Sequence, residues 1–127
     1  MTRIAASIAL ALALAATLGA CTGTQVSTVL STIGSGPVIA ASDLEFDRSE
    51  LDVPAGEAFD LQLLNREAPP HNVSIYSDET ASTALFVGEI FGGPASRVYQ
   101  VPALEAGTYF FRCDVHPDMQ GSLHATP

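Results

Sequence analysis

Phe110-Phe111-Arg112-Cys113-Asp114-Val115-His116-Pro117-Asp118-Met119-Gln120-Gly121 decides how this chain is read. The apolar run Thr108 to Cys113 reads as a strand, with Tyr109, Phe111 and Cys113 on one face and Phe110 and Arg112 on the other. At its end a thiol, an imidazole and a thioether follow at Cys-x-x-His-x-x-Met spacing. Thiolate and thioether favour Cu(I) and imidazole suits Cu(II), so a compact loop carrying all three suits a copper ion that cycles between those states. A second imidazole is needed to complete such a site. His71, in Pro69-Pro70-His71-Asn72-Val73, is the best placed candidate.

Upstream of this stretch the signals are those of short strands separated by turn residues. Val38 to Phe46 and Ser49 to Val53 are expected strands, with Pro54-Ala55-Gly56 a turn. Ala58 to Leu64 alternates, Phe59, Leu61 and Leu63 facing one way and Asp60 and Gln62 the other. His71 to Tyr76 places Val73 and Ile75 on one face; Ala84 to Val87, Arg97 to Val101 and Ser122 to Ala125 complete a set of about eight strands. Residues 38–127 are thus expected to fold as one all-β domain, a small antiparallel sandwich or barrel. Strand direction then places the loops. If Cys113 ends its strand at one pole, Gly92-Gly93-Pro94 lies at the same pole and Pro102 to Gly107 at the other; if His71, opening its strand, is at that pole too, the Asn65 to Pro70 connection lies there as well.

Before the domain, Arg3 and the apolar run Ile4 to Leu18 lead into Leu18-Gly19-Ala20-Cys21. Residues 1–20 read as a signal peptide, too short for a comfortable permanent span. Leu-Gly-Ala-Cys resembles a bacterial lipobox, in which the cysteine, here Cys21, becomes the lipidated first residue. The plainer alternatives are a simple membrane anchor or a buried helix. Residues 21–37, rich in Ser, Thr and Gly, read as a flexible linker of roughly 20 Å end to end. The expected location is therefore outside the cytoplasm, periplasmic or at the cell surface, held to a membrane by lipid. With Cys21 assigned to lipid, Cys113 is a single exported thiol, a liability unless a metal occupies it. After the signal, four arginines face fourteen acidic residues with no lysine, a formal charge of −10. That field disfavours nucleic acid and anionic headgroups and favours basic protein partners.

Taken singly, each ligand has a duller explanation. His71 alone is a rim histidine beside a proline turn, Asn72 a turn residue, Cys113 a buried small hydrophobe, and Met119 a cap on the core. Their joint arrangement favours a metal. Zinc competes for the ion, with Asp114 or Asp118 in place of a methionine that zinc takes poorly. A dinuclear copper site needs a second loop cysteine where this chain has Val115. His124 has no partner motif and reads as a surface residue.

Ala106-Gly107-Thr108-Tyr109 through Cys113-Asp114-Val115-His116-Pro117-Asp118-Met119, together with Pro70-His71-Asn72, resembles the cupredoxins, small type 1 (blue) copper proteins with a Greek-key β-sandwich. The tight spacing from His116 to Met119 is similar to the short ligand loop of the amicyanins within that family. The resemblance implies one copper ion, with His71, Cys113 and His116 in a trigonal plane and Met119 as a long axial contact. It implies that Asn72 bonds across to the cysteine loop and that His116 presents a ring edge where electrons enter and leave. The implied function is electron transfer with transient redox protein partners. Such a carrier is no enzyme and requires no small-molecule substrate pocket. The alternative is capture or delivery of copper by the same ligands. Copper-dependent catalysis needs further histidines, and only His124 remains.

Overall fold

The computed structural model describes residues 36–127. The expected signal peptide, the lipidation site at Cys21 and nearly all of the linker lie outside the described residues. Nine strands follow in order: β1 (Val38–Ser42), β2 (Glu45–Phe46), β3 (Glu50–Pro54), β4 (Phe59–Asn65), β5 (Ser74–Tyr76), β6 (Ala84–Val87), β7 (Ala95–Val101), β8 (Gly107–Arg112) and β9 (Gln120–Thr126). They form two sheets, ordered β2-β1-β4-β7 and β3-β9-β8-β5-β6. The all-β sandwich expected from the strand pattern is the fold found.

Two details differ from a purely antiparallel sandwich of eight strands. β1 pairs with β4, and β3 with β9, in parallel. The chain leaves one sheet for the other between β1 and β4 and re-enters beside its earlier strand in the same direction, as crossing connections allow. Val38 to Phe46 is also not one strand. Asp43 and Leu44 both have positive φ, 55° and 60°, and turn the chain into the β1–β2 hairpin. A two-residue turn of this hand matches the twist of the flanking strands, but leucine adopts it at a cost. The Leu44 N–H donates to Glu67 Oε1 at 3.0 Å, one contact that holds the turn in place.

β4 shows how the sequence sets the layers. Phe59, Leu61, Leu63 and Asn65 are buried while Asp60, Gln62 and Leu64 are half-buried, the alternation of a strand with one face on the core. Facing it, Leu51, Val53, Ile75, Phe111 and Leu123 come from the other sheet. Phe110, on the outer face of β8, is nevertheless buried, with Tyr76 packed against it at 6.5 Å between ring centroids. At the pole where β4 ends and β8 delivers Cys113, the loops of the site gather. At the other pole the N–H groups of Ala55 and Gly56 donate to Thr126 and Leu104 carbonyls, closing the base of the sandwich.

Candidate metal centre

His71 does not open β5 as expected, since that strand begins at Ser74. The histidine sits instead in an isolated two-way bridge with Phe91, His71 N–H to Phe91 O at 3.0 Å and Phe91 N–H to His71 O at 3.1 Å. A proline pair just before it ends any ladder there, so the backbone groups are satisfied by a loop. Asn65, 2% exposed, knits that loop together. Its Nδ2 donates to Pro69 O at 2.8 Å and Phe91 O at 3.1 Å, and its Oδ1 accepts from the Glu67 N–H. Gly93 comes so close that a Cβ there would lie 2.5 Å from Glu67 O and 2.6 Å from Asn65 O. A larger residue would push the loop off His71.

The second arm is the seven-residue loop from Cys113 to Met119. It closes on itself, Cys113 N–H donating to Met119 O at 2.8 Å and Met119 N–H to His116 O at 2.9 Å. Cys113 and Met119 are buried and His116 is half-buried, its ring 4.8 Å from that of His71.

The arms meet at three ligand atoms. Cys113 Sγ lies 3.8 Å from His71 Nδ1 and 3.8 Å from His116 Nδ1, and the two nitrogens are 3.2 Å apart. These three residues form the one His/Cys/carboxylate cluster of metal-binding geometry among the described residues. The point equidistant from the three atoms lies about 2.1 Å from each, the length of a metal bond to imidazole and slightly short of about 2.3 Å to thiolate. One ion therefore fits in the plane of the three with a small outward movement of the sulfur. A sulfur and two imidazoles so grouped suit copper, and the loop that carries two of them also carries the buried Met119. No carboxylate of the kind zinc would want joins the cluster: Asp114 turns toward β5 and Asp118 is exposed.

The unused nitrogen of His71 explains why Nδ1 faces the centre. Nε2 donates to Glu67 Oε1 at 2.8 Å, which fixes the tautomer and leaves the Nδ1 lone pair free. The N–H of Leu44, together with His71, holds the Glu67 carboxyl below its usual range against the opposing effect of burial.

Asn72 is fully buried and braces one arm to the other. Its Oδ1 accepts the Asp114 N–H at 2.8 Å, while Nδ2 faces Asp114 Oδ2 at 2.9 Å, Gly88 O at 3.0 Å and Ser74 Oγ at 3.1 Å. Ser74 Oγ donates to Asp114 Oδ2 at 2.6 Å, and the Tyr76 hydroxyl donates to Oδ1. Burial by itself pushes the Asp114 carboxyl up, but the bonds from Ser74, Tyr76 and Asn72 and the charge of Arg112 outweigh it and hold it below the ordinary value. Burial, then the neighbouring Asp114, pushes the Tyr76 phenol up. Sequence reasoning missed the parts played by Glu67, Asn65 and Asp114. A signal for the last was present: Asn72, Ser74 and Tyr76 alternate with Val73 and Ile75, a polar face opposite the apolar one.

A two-sheet sandwich carrying a planar sulfur and two-nitrogen cluster at one pole is the architecture of a small copper-binding domain. A family model described as "Cupredoxin-like domain" matches residues 6–125, and the chain belongs to that family. Amicyanin of Paracoccus denitrificans is 32% identical over 89 residues, 68% of this chain; the match spans 62% of that protein's length. Among solved structures, amicyanin from Paracoccus versutus superposes with a TM-score of 0.56 at 27% identity, covering 72% of this chain and 82% of that one. Auracyanin A, a "blue" copper protein from Chloroflexus aurantiacus, gives a TM-score of 0.63 at 22% identity, covering 72% and 98%, a likeness of fold.

Proposed function

We propose that this protein is a mononuclear type 1 copper electron carrier that works outside the cytoplasm, tethered to a membrane by a lipid on Cys21. The observation that carries it is the triangle of Cys113 Sγ, His71 Nδ1 and His116 Nδ1, whose centre suits one planar ion. The amicyanin relationship supports the same conclusion. His71, Cys113 and His116 would hold the copper, with Met119 as a further, weaker donor; when bound, copper supplies a one-electron couple.

The chain's own residues do the rest. Glu67 and Asn65 fix His71, Asn72 fixes the cysteine loop, and the Cys113 sulfur sits fully buried behind Phe111 and the core. Ligands held this way by outside bonds have little room to move, which lowers the cost of changing the charge at their centre. His116 is half-buried, and Pro117, Pro70 and Pro94 in the loops that carry the site are exposed, so His116 would give the site its opening to the surface. Partners would be redox proteins docking transiently on that mostly apolar rim, with a preference for basic surfaces from the net charge.

The copper-reconstituted domain is expected to show an intense visible charge-transfer band, the narrow EPR hyperfine splitting of a thiolate-bound Cu(II), and a reversible potential. A protein that holds only Cu(I), with no stable oxidised state, would instead be one that captures or delivers copper. For the tether, mass spectrometry of the mature protein is expected to find an acylated Cys21 at the N-terminus; an intact Met1 or a bare Cys21 refutes it.

A further inference from the structure

The residues flanking the cysteine carry opposite charges whose contact with each other is loose. Arg112 precedes Cys113 and Asp114 follows it, and both side chains leave the core for the outer face of β8. They remain only 29% and 23% exposed, with Arg112 Nε 3.5 Å from Asp114 Oδ1. That separation is long for a hydrogen bond, and Arg112 Nε is buried with no hydrogen-bond partner. The guanidinium lies over the Tyr76 ring at 5.0 Å from its centroid, so it is placed by stacking more than by the carboxylate. As a stabilising ion pair this is poor geometry, and charges in so sheltered a place cost desolvation.

We propose that Asp114 and Arg112 form an electrostatic pair that sets the reduction potential of the centre, the carboxylate lowering it and the guanidinium raising it. This rests on the copper reading of the site. Each charge sits one residue from the sulfur, on a backbone held by Asn72, and neither is placed to ligate. Reduction brings in one electron from the partner, forms and breaks no bond in the protein, and lowers the charge at the site by one. A fixed negative charge nearby therefore favours the oxidised state and a fixed positive charge the reduced state. Partial burial keeps salt from screening the effect away.

The test compares the copper-loaded wild type with Asp114→Asn and Arg112→Gln by voltammetry at one pH and ionic strength. The expected result is a higher potential for D114N and a lower one for R112Q, with the visible band and EPR splitting of both unchanged. A purely structural role moves the spectra, or moves both potentials the same way. Shifts of one sign, no shift in either variant, or shifts accompanied by an altered spectrum overturn the proposal while leaving the copper centre standing. If D114N does not fold by circular dichroism, R112Q decides alone: a lowered potential supports the pair and an unchanged or raised one ends it. A wild type that lacks the blue band removes the copper reading itself, and the proposal with it.

Discussion

Replacing Asn72 with alanine is expected to destabilise the metal-free domain by about 3–5 kcal/mol, most of it from groups left without partners. Asn72 is fully buried, and its amide serves the Asp114 N–H, the Gly88 carbonyl and the Asp114 carboxylate at 2.8–3.0 Å. Truncation strands the Asp114 N–H and the Gly88 carbonyl, each at about 1–3 kcal/mol, and opens a small cavity besides. A domain of this size has a total stability of about 5–14 kcal/mol, so the loss is about a fifth of it or more. Its melting temperature should fall by at least about 12 °C. Urea unfolding followed by tryptophan-free far-UV circular dichroism, with metal removed, isolates the protein's contribution, and an unchanged m-value keeps the comparison clean. A loss below about 1 kcal/mol would mean that water or neighbouring side chains replace the amide without penalty, and that Asn72 does not join the two arms energetically.

Cys113→Ser should abolish the visible band while the metal-free domain stays folded, because the core is built from both sheets and does not depend on the sulfur; a variant that keeps its colour would place the centre elsewhere. Met119→Leu is expected to retain copper at a raised potential, as a donor to the oxidised ion is lost, and an unchanged potential would remove Met119 from the set of donors. Gly121→Ala places a Cβ 2.3 Å from Ser49 O and 2.6 Å from Phe111 Cζ, so the β3–β9 seam must open; a cost of about 1–3 kcal/mol is expected, and a neutral result would show that the seam yields freely. The Asp114 carboxyl is held below its ordinary value in the folded state. Its contribution is therefore complete above the unfolded carboxyl pKa near 4 and is lost as pH falls through the lower folded value. Metal-free D114N should have a shallower decline in stability below about pH 4 than wild type, and parallel acid profiles would contradict this.

The candidate ligand loop was legible because its donor-bearing side chains are local: Cys113, His116 and Met119 lie within seven residues, and spacing alone sets them on one turn of chain. The buried face of β4 was legible for a similar reason, its alternation being written residue by residue. His71 was reachable only by following strand directions, and its backbone environment was misjudged, because the bridge to Phe91 is a pairing twenty residues distant that no local pattern marks. The two parallel pairings were hidden for the same reason, since strand periodicity carries no direction. Leu44 with positive φ runs against the preference of its side chain and is understood only once the Glu67 carboxylate is seen beneath its N–H.

That carboxylate also shows why the departures from local preference cluster at one pole. Glu67 takes the Leu44 N–H on the same oxygen, Oε1, that takes the His71 Nε2 proton. The β1–β2 hairpin is thereby coupled to the orientation of a buried imidazole through one shared acceptor. Loss of the turn would free the carboxylate to swing, and with it the ring whose Nδ1 faces Cys113. The strained leucine is therefore part of the support of the centre. Its cost is borne by the rigid sandwich beneath, where β1 is locked between β2 and β4 and cannot relax to relieve it.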